Sequence, residues 1–196
     1  QSIDTAKSTG PDNIPGSLLK KFSSLLAPSL AKIFNASLST GIVPDGFKRA
    51  FVSLIPKGGD AFDASNYRPI SLLLIVSKLL EKLVARQLQD HLLSSACLPP
   101  EQFAYRAKHC TEDALVLATD RWAQAQDRHL RTGIVFLDLL KAFDRVLHQV
   151  LVHDLLAIGL GGSALMWFVS YLTDRMQCVK VGAATSHWSA DRKSVV

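Results

Sequence analysis

The feature that most constrains the fold is a short apolar run, Ile134 to Leu137, which ends directly at the carboxylate of Asp138. Successive side chains of a strand point to opposite faces, so an unbroken apolar run predicts a strand that is buried on both faces. A carboxylate at the end of such a strand is costly to desolvate unless a cation or hydrogen-bond donors compensate it. We therefore expect a divalent metal opposite Asp138, or a role for Asp138 as the cap of the following turn.

Hydrophobic periodicity predicts that helices surround this strand. The clearest helix has apolar residues on one face and charged residues on the other. Segments with helical spacing cover residues 15–39, interrupted at Pro28 and capped by Gly41, and residues 75–93, 111–126, 150–156 and 163–172.

Two further strands are predicted, and they complete a mixed α/β fold. Ala50 to Ile55 is ended by Pro56, and Gln177 to Val181 alternates like an exposed strand. Residues 57–66 after the first of them form a polar, turn-forming stretch that predicts a mobile loop. No internal repeat or interdomain linker is visible, so one mixed α/β architecture is expected.

The positive charge is concentrated in the first half of the chain. Residues 1–110 contain 13 Lys and Arg against 8 Asp and Glu, whereas residues 111–196 contain 9 of each. A basic lobe joined to a neutral lobe that contains key acids suits an enzyme that handles phosphates. An ordinary solvated surface would also account for this charge.

Several classes of protein are disfavoured by composition. Three cysteines without a C-x-x-C pair do not indicate a disulfide framework or a zinc ribbon, and the histidines show no ligand spacing. The longest apolar run is too short to span a bilayer. We therefore expect a soluble intracellular protein, in the cytoplasm or the nucleus, with no membrane partner.

The residues around Asp138 resemble a known catalytic motif. The segment F-L-D-L-L-K-A-F-D-R-V at 136–146 is similar to motif A of reverse transcriptases from LINE-type (non-LTR) retrotransposons, which surrounds the first catalytic aspartate. Six further segments match the same family in order along the chain: G-P-D-N-I-P at 10–15, I-P-K-G-G-D at 55–60, N-Y-R-P-I-S-L-L at 66–73, S-K-L-L-E-K at 77–82, Q-F-A-Y-R at 102–106 and W-F-V-S-Y-L-T-D-R-M-Q at 167–177.

This resemblance implies a right-hand polymerase with fingers over residues 1–110 and an incomplete palm over residues 111–196. The implied activity is RNA-directed DNA polymerisation on an RNA template and a DNA primer, with deoxynucleoside triphosphates and two Mg²⁺ ions. Asp138 and the backbone carbonyl of Leu139 would be metal ligands, because Mg²⁺ prefers hard oxygen donors.

The resemblance also assigns nucleotide-binding residues. Lys57 and Arg68 occupy fingers positions that reach the triphosphate, and Lys141 and Ala142 lie along it. Phe143 occupies the position whose ring crowds the sugar 2′ carbon and so rejects ribonucleotides. By spacing alone the cations would be ordinary surface residues and Phe143 a core aromatic.

A further set of residues is expected to contact the template. Arg106 and Lys108 could touch its backbone and Tyr105 could stack on a base, as in channels for single strands.

The sequence departs from the family pattern in its last part. A G-V-P-Q-G segment and an A-D-D hairpin with further catalytic aspartates are expected after residue 182 and are not in the sequence, and Leu140 replaces a small polar residue. We expect this chain alone to bind nucleic acid weakly and in a salt-sensitive manner, without primer extension. The strand over residues 134–137 would keep an unpaired, aggregation-prone edge.

Other functions remain open at this point. The chain could be a non-catalytic nucleic-acid-binding or interaction module derived from such a polymerase. It could also be a doubly wound phosphotransfer enzyme with Asp138 as nucleophile, although that fold needs more buried strands. A polymerase of the group II intron type is a third alternative, and it is more closely related to the LINE-type enzymes than the phosphotransfer enzyme is. The N-Y-R-P-I-S and A-F-D-R-V segments favour the LINE type.

Overall fold

The computed structural model describes residues 3–5, 8–140 and 142–191. The α-helices in these residues are α1 (Gly16–Lys21), α2 (Ser23–Thr40), α3 (Ile75–Ser94), α4 (Thr111–Asp127), α5 (His148–Ala157) and α6 (Gly162–Leu172). The strands are β1 (Arg49–Pro56), β2 (Tyr67–Leu72), β3 (Met176–Val181), β4 (Ala184–Thr185) and β5 (Ser189–Ala190). Short 3₁₀ turns cover Asp45–Lys48, Ala64–Asn66 and Phe143–Arg145. The predicted mixed α/β class is confirmed.

The chain packs as two units. One consists of Gln1–Val84 with Phe143–Val196, and the other of Ala85–Ala142. This division reflects packing within the chain. The boundary expected at residue 110 separates fingers from palm, which are defined by their function in the polymerase family and not by packing. That boundary stays a prediction. Among the described residues, no helix is both long enough and apolar enough to cross a lipid bilayer.

The first helical segment differs from the prediction at Pro28. Pro28 lies inside α2, and the break falls instead at Phe22, between α1 and α2, where φ is −103° and ψ is 20°. A proline removes one helical hydrogen bond, in this case to the carbonyl of Ser24. Both residues are exposed, so water can bond that carbonyl and the helix continues.

Gly41 caps α2 as predicted, and close packing explains why glycine is required there. Its φ of 70° is left-handed, and the N–H of Ile42 donates to the Ser37 carbonyl at 3.1 Å. A Cβ atom at Gly41 would lie 2.8 Å from Cβ of Met166 and 2.9 Å from the Ser163 carbonyl oxygen, both in α6. A side chain would therefore be strained by its backbone and would also clash.

The sheet is mixed, with β1 at its centre. The strand order is β2, β1, β3, β4. The fifth strand of the sheet, β5, also pairs with β3. β1 and β2 are antiparallel, whereas β1 and β3 are parallel. The strands expected over residues 50–55 and 177–181 are thus confirmed as β1 and β3.

Helices of the first unit pack on a core that contains one buried polar pair. Phe34, Val43, Leu80, Val84 and Trp167 form this core. The indole N–H of Trp167 donates to Oγ of Ser37 at 3.0 Å, and that hydroxyl donates to the Ile42 carbonyl at 2.6 Å. Ser37 therefore satisfies both a buried donor and the carbonyl that follows α2.

We predict that Ser37→Ala lowers the free energy of unfolding by about 1–3 kcal/mol, because it leaves the Trp167 N–H buried without an acceptor. Chemical denaturation followed by tryptophan fluorescence measures the loss. Ser39→Ala is the matched control, since Ser39 is exposed and donates only to the Ala36 carbonyl of its own helix. Equal unfolding midpoints for the two variants would contradict the role of Ser37.

A second buried polar group joins α3 to the end of α6. Arg175 is 2% exposed, donates from Nη1 to the Tyr171 carbonyl at 3.1 Å, and lies 4.8 Å from the centre of the Tyr171 ring. The Tyr171 hydroxyl and the carboxylate of Glu81 interact electrostatically. Burial raises the pKa of Glu81, although the charges of Arg175 and Lys78 and the interaction with Tyr171 oppose the rise. Burial and the nearby Glu81 charge raise the pKa of Tyr171 to about 12.

The raised pKa of Glu81 predicts a stability that depends on pH. A folded-state pKa above the unfolded value gives a contribution that is present below the unfolded pKa and is lost as the pH rises through the folded one. Glu81→Gln, which resembles the neutral acid, should therefore gain stability relative to the unmodified chain as the pH rises from about 4 to about 8. Urea unfolding at both pH values measures this difference. Asp90→Asn, exposed on the same helix, should show no such gain, and an equal gain in both variants would refute the assignment.

The second unit contains the largest departure from the sequence prediction. Residues 134–137 form no strand, and Val135, Phe136 and Leu137 are 81%, 88% and 89% exposed. A strand needs neighbouring backbone for its hydrogen bonds and a covering layer for its side chains. The described part of Ala85–Ala142 contains helices and loops but no strand with which this run could pair. The expectation of a buried strand is therefore wrong for this chain.

Candidate functional site

Lys57 and Arg68 lie at the loop end of a β-hairpin. β1 and β2 pair in antiparallel register with Arg68 opposite Ile55, and the N–H of Lys57 donates to the Asn66 carbonyl at 2.7 Å. This bond continues the ladder one step beyond Pro56. The polar stretch predicted over residues 57–66 is therefore the loop of a hairpin.

Polar side chains within the loop hold its shape. The Asn66 amide donates to the Asp60 carbonyl at 2.9 Å, and the Tyr67 hydroxyl donates to the Ala61 carbonyl at 3.0 Å. Asp63 accepts from the N–H and from the hydroxyl of Ser65, each at 2.8 Å, and these bonds lower the pKa of Asp63. Asp60 also accepts from the N–H of Phe62 at 2.9 Å, so both acids of the loop form hydrogen bonds within it.

Both hairpin cations remain accessible to an anion. Nζ of Lys57 donates to the Ser65 carbonyl at 3.1 Å, which positions the ammonium and leaves it exposed. Arg68 is exposed, and no carboxylate of the described residues forms an ion pair with either side chain. A guanidinium fork and an ammonium point charge are complementary ligands for a polyphosphate.

The Asp138 segment is exposed in the second unit. Asp138 is exposed, and the next residue, Leu139, is 76% exposed. A carboxylate oxygen and an adjacent backbone carbonyl are suitable donors for a hard divalent cation. Among the residues that the structure describes, no three His, Cys, Asp or Glu side chains gather as a metal site. Ala142 is exposed, and Lys141 lies outside the described residues.

Phe143 opens the 3₁₀ turn Phe143–Arg145 and is 59% exposed. The alternative interpretation, a buried core aromatic, does not agree with this exposure. The ring of Phe143 is thus exposed within the motif A segment, and its role in sugar selection stays a prediction.

The three residues expected at a template occupy a looped segment before α4. Tyr105 is 77% exposed and has a φ of 59°, and Lys108 has a φ of 61°. Nη1 of Arg106 donates to the carbonyls of Pro99 and Pro100 at 3.3 and 3.5 Å. Arg106 therefore stabilises the loop that contains it. The spacing of residues in the sequence did not indicate these hydrogen bonds. The template role of the three residues stays a prediction.

Exposed cations on a hairpin are chemically suited to bind phosphates, and an exposed carboxylate beside a carbonyl is suited to bind a divalent metal ion. The family model for reverse transcriptase (RNA-dependent DNA polymerase) matches residues 55–193. The chain belongs to the reverse transcriptase family, whose members generally use a divalent metal and act on nucleic acid and nucleotides.

Its relatives come from LINE-type elements. The chain is 37% identical over 153 residues to a Drosophila melanogaster protein described as a probable RNA-directed DNA polymerase from transposon BS, covering 78% of this chain and 17% of that protein. It is 30% identical over 148 residues to the RNA-directed DNA polymerase from mobile element jockey of the same species, covering 75% and 16%. It is also 30% identical over 146 residues to the Pol polyprotein from retrotransposable element R2 of Popillia japonica, covering 74% and 20%. The chain thus spans about a sixth to a fifth of the length of these relatives, and matches to polymerases do not favour a non-catalytic module.

Proposed function

We propose that this chain forms the nucleotide-binding part of an RNA-directed DNA polymerase of a non-LTR retrotransposon. The observation that carries the proposal is the β1–β2 hairpin, which leaves Lys57 and Arg68 exposed and without a carboxylate partner in the described residues. The substrates would be deoxynucleoside triphosphates, with an RNA template and a DNA primer as partners. Such an enzyme acts inside the cell, in the cytoplasm or the nucleus.

Each residue has a separate task in this proposal. Arg68 binds two phosphate oxygens through its planar fork, and Lys57, held by the Ser65 carbonyl, neutralises the same polyphosphate as a point charge. Asp138 and the Leu139 carbonyl would hold Mg²⁺. When bound, Mg²⁺ supplies charge neutralisation at the transferred phosphate and acidifies the primer hydroxyl. Lys141 and Ala142 would lie along the triphosphate.

We predict that Lys57→Ala and Arg68→Ala each weaken binding of Mg²⁺-dNTP to this chain by about tenfold or more, since a charge-assisted hydrogen bond contributes about 1.5–3 kcal/mol. Titration with a fluorescent dNTP measures the Kd. Arg68→Lys should be intermediate, because it retains the charge but not the fork. Lys32→Ala, which removes an exposed cation from α2, is the control. Equal losses in Lys32→Ala and Arg68→Ala would overturn the assignment.

Phe143 is predicted to select the sugar by steric exclusion. Residues 55–191 can be placed in the corresponding region of an active jockey-type polymerase, and primer extension with ribonucleotides and deoxyribonucleotides compared. Phe143→Ala should raise the ratio of ribonucleotide to deoxyribonucleotide incorporation, whereas Phe143→Tyr, which keeps the ring, should not. Asp138→Asn should abolish extension and so verifies that the grafted motif supports catalysis. A ratio unchanged by Phe143→Ala in an active chimera would assign Phe143 a structural role only.

A further inference from the structure

One face of the sheet contains every charged side chain of β1, β2 and β3. These are Arg49, Arg68 and Lys180, and none of the three strands contains an acid. In the register, Lys180 lies opposite Ser53 and Arg68 opposite Ile55. Positions 49, 53 and 55 of β1 point to one face because side chains alternate along a strand. The three cations therefore share that face, which we call the basic sheet face.

Aromatic rings hold two of these cations in place. Nζ of Lys180 lies 5.3 Å from the centre of the Phe51 ring, and Phe51 stacks on Trp188 at 5.7 Å with an interplanar angle of 23°. Cζ of Arg49 lies 5.8 Å from the Trp188 ring. The result is a column in the order Lys180, Phe51, Trp188, Arg49. Cation–π contacts restrict long side chains that would otherwise be mobile.

The charges of the basic sheet face are not neutralised within the described part of the chain. No carboxylate there forms an ion pair with Arg49, Arg68 or Lys180. Arg49 and Arg68 are exposed and Lys180 is half-buried, so all three can be approached from solvent. Three cations without carboxylate partners give this face a positive potential, which attracts anions.

The spacing of the cations selects a polyanion. Arg49 and Ser53, the partner of Lys180, lie about 13 Å apart along β1 at about 3.3 Å per residue. One phosphate group cannot contact cations that are so far apart, whereas a strand of several nucleotides can. The flat faces of Phe51 and Trp188 are covered by the column itself, so contacts to phosphates, not stacking on bases, are available.

We propose that the basic sheet face binds the phosphate backbone of single-stranded RNA without reading its bases, through Arg49 and Lys180. This inference rests on the proposed function, because a reverse transcriptase must hold a single-stranded template, and it adds residues to which neither the motifs nor the relatives assign a role. Trp188 is a positioning residue that acts through Arg49.

The test is fluorescence anisotropy of labelled 12-nucleotide oligo(U) and oligo(A) with the whole chain at several salt concentrations. Arg49→Ala and Lys180→Ala should each weaken binding several-fold and reduce the salt slope of log K by about 0.7, the value for one phosphate contact of a single strand. Lys32→Ala, with equal loss of charge, should change the Kd less than about twofold, as expected for removal of a screened charge far from the ligand. Far-UV circular dichroism checks that each variant is folded.

Further variants separate the tasks of the residues. Trp188→Ala should weaken binding while the salt slope stays unchanged, because the charges remain but Arg49 is no longer held, and Trp188→Phe should restore affinity. Lys57→Ala should leave RNA binding intact while it weakens dNTP binding, so failure of this inference and failure of the proposed function give different results.

Three outcomes would overturn the inference. Lys32→Ala could weaken binding as much as Lys180→Ala does, which would indicate non-specific electrostatics. A poly-glutamate peptide could bind as tightly as RNA, which would indicate an acidic protein partner instead. Oligo(U) and oligo(A) could differ by more than about tenfold in Kd, which would show that bases are read by stacking.

Discussion

Backbone pairing of β1 on both of its edges is the interaction on which the functional surfaces of this chain depend. The antiparallel ladder with β2 brings Arg68 opposite Ile55, and the parallel ladder with β3 brings Lys180 opposite Ser53. The first pairing is local, because a loop of ten residues joins the strands. The second joins segments more than a hundred residues apart, so it forms only after a costly loop closure. Disruption of β1 would therefore remove both cation arrangements together.

Local patterns predicted those parts of the fold whose determinants are close in sequence. β1 ends at Pro56, Gly41 caps α2, and the amphipathic pattern over residues 75–93 forms α3, because each of these features depends on neighbouring residues. Pro28 shows the limit of this reasoning. Its ring was expected to interrupt the helix, but the exposed carbonyl that lost its partner can bond to water, so the interruption costs less than the pattern suggested.

Features that depend on distant residues could not be obtained from the sequence. The contacts of Glu81 with Tyr171 and Arg175 join α3 to the end of α6, and no spacing within either segment indicates them. The column of Arg49, Trp188, Phe51 and Lys180 requires the register of β1 with β3, which periodicity does not give. Motif resemblance identified Lys57 and Arg68, whereas their hydrogen bonds and exposure are defined by the β1–β2 hairpin. The sequence thus named candidate residues, whose role stays a prediction, and it did not give their supporting contacts.

The exposure of Asp138 removes the desolvation cost that the sequence suggested. A carboxylate at the end of a buried strand would need a cation or donors for folding, because desolvation of an unpaired charge is costly. In this structure Asp138 and the apolar residues before it are exposed, so no such requirement arises within the chain. The desolvation cost would appear only when another sheet covers residues 134–137. Burial of residues 134–137 and binding of a cation would then be coupled. Burial of the apolar side chains favours the covering of this segment, and the cation offsets the charge of Asp138 that the covering removes from water.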